Sequence, residues 1–594
     1  MFSDFLRRAM PPARRYRAFA LTALPLFCSL LMQTAVQAQT GTLSFNTTNQ
    51  QIEGIGFSDA FGEANALKQL PAAQQTTILN LLYSQQTGAG FSLLRLGIGT
   101  DSQIEPTSPG SPTATPTYVF DGSDGGQVYL AQSGQHYGLN DFFADSWSAP
   151  GFMKNNNSID NGGYICGTVD APVGSTGCTG DWRQAYANYL VQYVNFYKAI
   201  DIPITALGWI NEPDYNVTYN SMQATTAGAL DFVDNAFGPV VRASGLPLRT
   251  MCCDGSKWPI STPFTQAIMA DPVATSYIDI ISSHEYGGHA TSAQPTTKPV
   301  WMTEWSSTNG TFEPRWDCSG CSGGPDGMYL AGDIIQAFVS GNVNEYNYWW
   351  GTSTGAAALI LTTPSTSTYT VAGRFYALAA ISRFVRPGAY RVTSTNSNTN
   401  LAVVGFLNTD GSKVVALLNN ATTAVTANYT VDSGTSGSNV KTYLTDTNDA
   451  VNETDTAALA GTNLSMTLPA RSLTTVVIAP TVVSGSPQLL LTPTLTKLGD
   501  GSFQAALKVT NVGPGTAQGV TMTAATLGSA TGVPAPGTAL PQSVGLGNLA
   551  PGGYTIMPMN FAAAAGTSGS STVQRYTGTY SSGTFGGSFR TILP

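Results

Sequence analysis

Leu207-Gly-Trp-Ile-Asn-Glu-Pro-Asp214 and Val300-Trp-Met-Thr-Glu-Trp305 decide how this chain folds. Each is a short run of β-forming residues that stops at a glutamate, Glu212 in the first and Glu304 in the second. Such a run reads as a buried strand delivering a carboxylate to its C-terminal mouth, where a (β/α)8 barrel builds its active site. The glutamates are 92 residues apart. That spacing fits the ends of barrel strands four and seven at roughly 30 residues per βα unit.

Working outward, residues 51–386 alternate short apolar runs with helix-like stretches, the pattern of parallel βα units. Strand ends are predicted at Phe57, Gly99, Trp147, Glu212, Cys253, His284, Glu304 and Trp350, with helices over Ala72–Tyr83, Asp181–Ala199 and Met328–Val339. The fold class is therefore α/β, a TIM barrel. Residues 387–480 turn to β-rich runs such as Leu401–Leu407, Ser412–Leu418 and Ser472–Ala479, separated by Asn, Asp and Gly turns. They predict a β-sandwich side domain, which an N-terminal strand within 39–50 joins. A linker over 481–487 leads to 488–594, where five charged residues and the alternation Phe503-Gln-Ala-Ala-Leu-Lys-Val-Thr510 predict an immunoglobulin-like sandwich. That segment holds no tryptophan, so it reads as a spacer or weak attachment module rather than an aromatic binding platform.

Residues 1–38 have the form of a secretory signal: five arginines by position 17, an apolar stretch from Ala18 to Met32, and Val36-Gln37-Ala38 before the cut. The mature protein is expected outside the cytoplasm, without a membrane span. A net charge of −9, with only 10% charged residues, argues against nucleic acid and anionic membrane as partners. A neutral polymer fits, bound by a monomer. Six cysteines remain after Cys28 is removed with the signal, an even number that favours disulfides outside the cytoplasm. Cys166 and Cys178 are expected to staple one loop. Cys318 and Cys321 have no second pair of matching spacing, which argues against zinc.

Hydrolysis of a glycosidic bond needs one protonated carboxyl to donate to the leaving oxygen and one ionised carboxylate to attack or stabilise the anomeric carbon. Glu212 and Glu304 can divide those roles. Asn211 is suited to hydrogen-bond a sugar 2-hydroxyl, and Glu212 needs its pKa raised by its surroundings. His284-Glu-Tyr-Gly-Gly-His289 superficially resembles a zinc-protease pattern, but the histidines are five apart and two glycines interrupt the helix required. No metal and no cofactor is expected.

Asn211-Glu212-Pro213, Trp147-Ser-Ala-Pro-Gly-Phe-Met-Lys154, Leu94-Arg-Leu-Gly-Ile-Gly99 and Thr303-Glu304 together resemble glycoside hydrolase family 30. Gly54-Ile-Gly-Phe-Ser-Asp-Ala-Phe61, Cys252-Cys253-Asp254 and Ser382-Arg-Phe-Val-Arg-Pro387 are similar to its mostly xylan-cleaving subfamily 7. The resemblance implies a retaining β-1,4-xylanase of the endo type, with Glu212 as acid/base and Glu304 as nucleophile. It implies that Arg95, Trp147, Asn211, His284, Tyr286 and Trp350 line the sugar site. Subfamily relatives often carry an arginine in the first βα loop that can meet a glucuronic acid branch. Here Glu63 stands in Phe61-Gly-Glu-Ala64, so dependence on glucuronic acid is not expected. The same machinery acting on a β-1,6-glucan or galactan is the alternative, and a non-catalytic carbohydrate-binding protein is the alternative of another class.

Overall fold

The computed structural model describes residues 40–99, 106–307, 310–318, 325–432, 439–448, 450–535, 537–545 and 547–594. The expected signal segment and Cys321 lie outside them. A first strand, β1 (Gly41–Gln51), precedes eight parallel strands that close into a barrel: β2 (Gly54–Ser58), β3 (Leu93–Ile98), β4 (Phe142–Ser146), β5 (Ile204–Gly208), β6 (Arg249–Gly255), β7 (Ile280–His284), β8 (Val300–Glu304) and β9 (Glu345–Trp350). β9 pairs with β2 to complete the ring. Helices α1 (Glu63–Lys68), α2 (Ala72–Tyr83), α3 (Gln127–His136) and α4 (Arg183–Ala199) are the first of those around it. Among the described residues no helix is long and apolar enough to cross a membrane.

The barrel interior changes character along its axis. Leu93, Phe143, Ala206, Met251, Ile280 and Trp301 form a buried apolar layer on six successive strands. Because inward positions recur every second residue of a strand, the next layer toward the mouth is Arg95, Asp145, Gly208 and Thr303. A strand read as one apolar stretch thus ends in ionic chemistry two residues further on. Gly208 is required there, since a β-carbon on it would collide with the Asp145 carboxylate.

The fourth barrel strand is shorter than the sequence suggests. It stops at Gly208, and Trp209 to Glu212 leave the sheet because other partners take their main chain. The Tyr186 hydroxyl donates to the Trp209 carbonyl at 2.5 Å, and the Asn211 N–H donates to Ser146 at 2.8 Å. Glu212 is therefore presented from a loop. The helix expected over Met328–Val339 runs as α-helix from Gly327 to Gln336 and continues in wider π turns to Gly341, with Asp326 capping it through the Tyr329 N–H at 2.9 Å.

β1 pairs with Tyr390–Asn396 on one side and with Val425–Val431 on the other, inside a ten-stranded sheet that includes Leu401–Leu407, Lys413–Asn419 and Ser472–Ile478. Lys413–Asn419 is buried on both faces. Val414, Ala416 and Leu418 join the barrel's outer core, while Val415 and Leu417 join the sandwich's own. The last segment forms two facing sheets, one built on Leu489–Lys497, Phe503–Asn511 and Tyr554–Phe561, the other on Thr521–Leu527, Ser571–Tyr580 and Gly583–Ile592. They enclose a core that includes Leu507, Met522, Met559, Phe561 and Tyr576.

That last domain is not a free appendage. Asn560 Nδ2 donates to the His136 carbonyl at 2.7 Å, and the Gln504 amide donates to the Gln135 carbonyl. His136 lies 3.3 Å from Asp500, and Tyr554 N–H donates to the Thr409 carbonyl at 3.0 Å. His136 ends the helix that leads into β4, so the contact falls at the strands' N-terminal face, opposite the mouth. A chain ending at Pro480 is expected to keep its turnover on a soluble glycan. Its Tm should fall by several degrees, because it loses hydrogen bonds worth about 1 kcal/mol each. Lost turnover at unchanged Tm would place the domain's influence at the mouth instead.

Candidate active site

Arg95 is the centre of the mouth. Its side chain is fully buried and forms ion pairs with Glu304, with Asp145 at 3.2 Å and with Asp254 at 3.4 Å. Its Nη2 also donates to Asn211 Oδ1 at 2.7 Å. One guanidinium thus joins side chains from β3, β4, β6, β8 and the loop after β5. The Trp147 ring covers it at 4.6 Å from the ring centre.

Three carboxylates around one cation cannot all be ionised at low cost in a dry interior. Burial, then the Asp254 charge, holds the Asp145 carboxyl well above its usual pKa. Burial alone would raise Asp254 too. The hydrogen bond with Asp145, the His284 and Arg95 charges and the Thr303 hydroxyl at 2.6 Å outweigh it and hold Asp254 low. When this pair binds a proton, Asp145 is the member that takes it.

The two glutamates sit in different surroundings. Glu304, at the end of β8, is clamped by Arg95 on one oxygen and accepts from the Tyr286 hydroxyl at 2.7 Å on the other. Glu212 sits on its loop with φ +49°, a conformation that costs a non-glycine residue energy and concentrates at functional sites. Its N–H donates to the Asp254 carbonyl at 2.9 Å, and its Oε1 lies 3.1 Å from His284 Nδ1. Burial raises the Glu212 pKa, while the His284 hydrogen bond and charge limit the rise. Burial works against the charged imidazole of His284, but Glu304, the Glu212 hydrogen bond and the Asp254 charge prevail and raise its pKa. Glu212, His284 and Glu304 each place one oxygen or nitrogen within 4.8 Å of the others.

All the residues the sequence singled out converge here, but in different layers. Arg95 and His284 are wholly buried behind the glutamates, so they touch carboxylates and not the cleft. Trp147 is 3% exposed, with Arg95 over its ring and Phe61 edge-on at 5.4 Å. Trp350 is half-buried and stacks on Trp349 at 5.2 Å. With Oδ1 of Asn211 engaged by Arg95, its amide nitrogen is the end left for a ligand. Asp145, Asp254 and Trp349 were not singled out as site residues. The signal for Asp145 was its place two residues after inward-facing Phe143, and for Trp349 the tandem Trp349-Trp350. Asp254 gave none beyond its Cys-Cys-Asp setting.

Cys166 and Cys178 form a disulfide with S–S 2.01 Å. Cys252 and Cys253, adjacent in β6, form a second, and Cys318 is disulfide-bonded.

Residues 124–303 match the model of the glycosyl hydrolase family 30 TIM-barrel domain, and 388–476 that of the family 30 beta sandwich domain. The catalytic domain of GH30 xylanase C from Talaromyces cellulolyticus is 37% identical, with a TM-score of 0.68, across all of that chain and 74% of this one. Putative glucosylceramidase 2 of Caenorhabditis elegans is 25% identical over 64% of this chain and 76% of its own length. Endo-1,6-beta-D-glucanase BGN16.3 of Trichoderma harzianum is 26% identical over 64% and 80%. With both domain models matched in order and a solved relative covered end to end, the chain belongs to glycoside hydrolase family 30.

Proposed function

We propose that this glycoside hydrolase cleaves β-1,4-xylan outside the cytoplasm by double displacement, with Glu304 as nucleophile and Glu212 as acid/base. The observation that carries the mechanism is the proximity of the two carboxylates, whose nearest oxygens lie within 4.8 Å. Retaining enzymes hold the pair at about 5–5.5 Å, and inverting ones leave about 6.5–9.5 Å for a water.

In the first step a Glu304 oxygen bonds to the anomeric carbon while the glycosidic oxygen departs with the proton of Glu212. In the second, Glu212, now ionised, takes a proton from water, whose oxygen displaces Glu304. Arg95 and Tyr286 hold Glu304 in place for attack. Burial keeps Glu212 protonated to higher pH than an exposed glutamate, as the acid step requires.

Xylan is supported by the xylanase from Talaromyces cellulolyticus, since its catalytic domain is matched over its whole length. Glu63 argues against a need for glucuronic acid branches: its carboxylate accepts from the Thr354 N–H at 3.2 Å, beside the Phe61, Trp147 and Trp349 cluster, and would repel a uronate. The endo-1,6-glucanase relative supports β-1,6-glucan as the second reading. Export is supported by the arginine-rich start, apolar stretch and Val36-Gln37-Ala38, and by the disulfides.

Reducing-sugar release from unbranched xylan, glucuronoxylan, β-1,6-glucan and galactan tests the substrate. Release from glucuronoxylan alone, or from the glucan in preference, would overturn it. Glu304→Gln should abolish turnover with the fold intact, because the amide cannot form the glycosyl ester. Glu212→Gln should lose activity on xylan yet still release a good leaving group in a burst, since that step needs no proton. His284→Phe removes the contact that lowers the Glu212 pKa, so the basic limb of the pH profile should move upward. A downward move would take His284 out of that role. Arg95→Met leaves buried carboxylates without their cation and should cost about 3–5 kcal/mol of stability, read from denaturant midpoints.

A further inference from the structure

A second cluster lies outside the catalytic pair, where the loop after β7 meets the Gly327–Gln336 helix. Glu285, His289 and Asp333 each place one ligand-capable atom within 4.8 Å of the other two. His289 Nδ1 is 2.7 Å from Asp333 Oδ1 and 3.9 Å from Glu285 Oε2. An ion pair between His289 and Asp333 would account for the shorter contact. It leaves out Glu285, which is wholly buried and whose Oε2 faces the same nitrogen from 3.9 Å without a hydrogen bond of normal length. A buried carboxylate oxygen left unpaired is costly.

The atoms facing away from the cluster are all engaged. His289 Nε2 is 2.8 Å from the Tyr329 hydroxyl. Asp333 Oδ2 accepts from the Tyr346 hydroxyl at 2.7 Å, and Glu285 Oε1 from the Ala290 N–H at 2.6 Å. Fixing the outer atom of each ligand in this way is how proteins orient metal-binding histidines and carboxylates. His289 and Asp333 also line a cleft of about 580 Å3, with Tyr329, Gln336, Asn396 and Asn420 among its other walls, so water has room to complete a coordination shell.

We propose that Glu285, His289 and Asp333 bind a divalent transition-metal ion, zinc by its donor set, and that the ion secures the loop after β7 to the barrel–sandwich joint. One imidazole and two carboxylates suit zinc, which needs three or four ligands. Calcium and magnesium demand more oxygens. The sequence argument against a metal here concerned two histidines on one helix. The structure gives His289 two acidic partners instead, one of them 44 residues further on. The loop so held follows directly on His284 and carries Tyr286, and the Glu285 N–H donates to the Glu304 carbonyl at 3.3 Å.

The test uses full-length mature protein without a histidine tag, stripped with chelator and dialysed against zinc. Stoichiometric zinc and a Tm several degrees above the stripped form are expected, with no such rise in calcium or magnesium. His289→Gln and Asp333→Asn should each lose the zinc and the rise, while Glu212→Gln keeps both, which separates this site from the Glu212, His284 and Glu304 group. Because a substitution here can unfold the chain, visible absorption of the cobalt-loaded wild-type protein, displaced by zinc, is a measure that needs no variant. No bound zinc in the wild type, zinc retained by His289→Gln, or zinc lost in Glu212→Gln would each overturn the assignment.

Discussion

The buried guanidinium of Arg95 is the interaction on which the mouth of this barrel depends. Taking a cation and its carboxylates out of water costs several kcal/mol per ion. The cost is offset only because four acceptors, on Asp145, Asn211, Asp254 and Glu304, converge on two nitrogens of one side chain. Each acceptor comes from a different strand or loop, so the ring must be closed in register for the charge to be satisfied. Fold and site thereby share one constraint. The Glu304 carboxylate is oriented by the same contact that ties β3 to β8.

That constraint separates the roles of two chemically identical residues. Glu304 stands at the end of a strand with both oxygens engaged, which suits a nucleophile that must meet one carbon from one direction. Glu212 stands on a loop in a left-handed conformation, with His284 against one oxygen. Burial outweighs the His284 hydrogen bond and charge and favours its protonated form. One glutamate held protonated by burial beside another clamped by an arginine and a tyrosine hydroxyl is the arrangement that an acid/base and nucleophile pair needs.

Much of this was legible in the chain because barrel strands announce themselves locally. The eight apolar runs and the glutamates after the fourth and seventh needed nothing beyond neighbours in sequence. What was illegible is what depends on partners far away. Leu207-Gly-Trp-Ile210 looks like continuous strand, yet the hydroxyl of Tyr186 and the carbonyl of Ser146 draw it out of the sheet after Gly208. Asp145 and Asp254 contribute one residue per strand and mean little until the ring closes. The docking of the last domain also escaped, because Gln504 and Asn560 bind main-chain carbonyls of Gln135 and His136, contacts that leave no hydrophobic signature.

The catalytic constellation is indifferent to which sugar is bound, so specificity must come from the loops around it. The first βα loop is tied to the last one: Asp59 accepts from the N–H and hydroxyl of Thr352, and Glu63 from the N–H of Thr354. An arginine at position 63 would bring a positive charge to the cleft, but it carries no acceptor. The exposed Thr354 N–H would then pass to water, while Asp59 keeps its hold on Thr352. The buried tie beside Trp349 and Trp350 is thus Asp59 to Thr352, and Glu63 adds an outer contact to the same turn. The charge at position 63 can therefore vary while the first and last βα loops stay joined through Asp59.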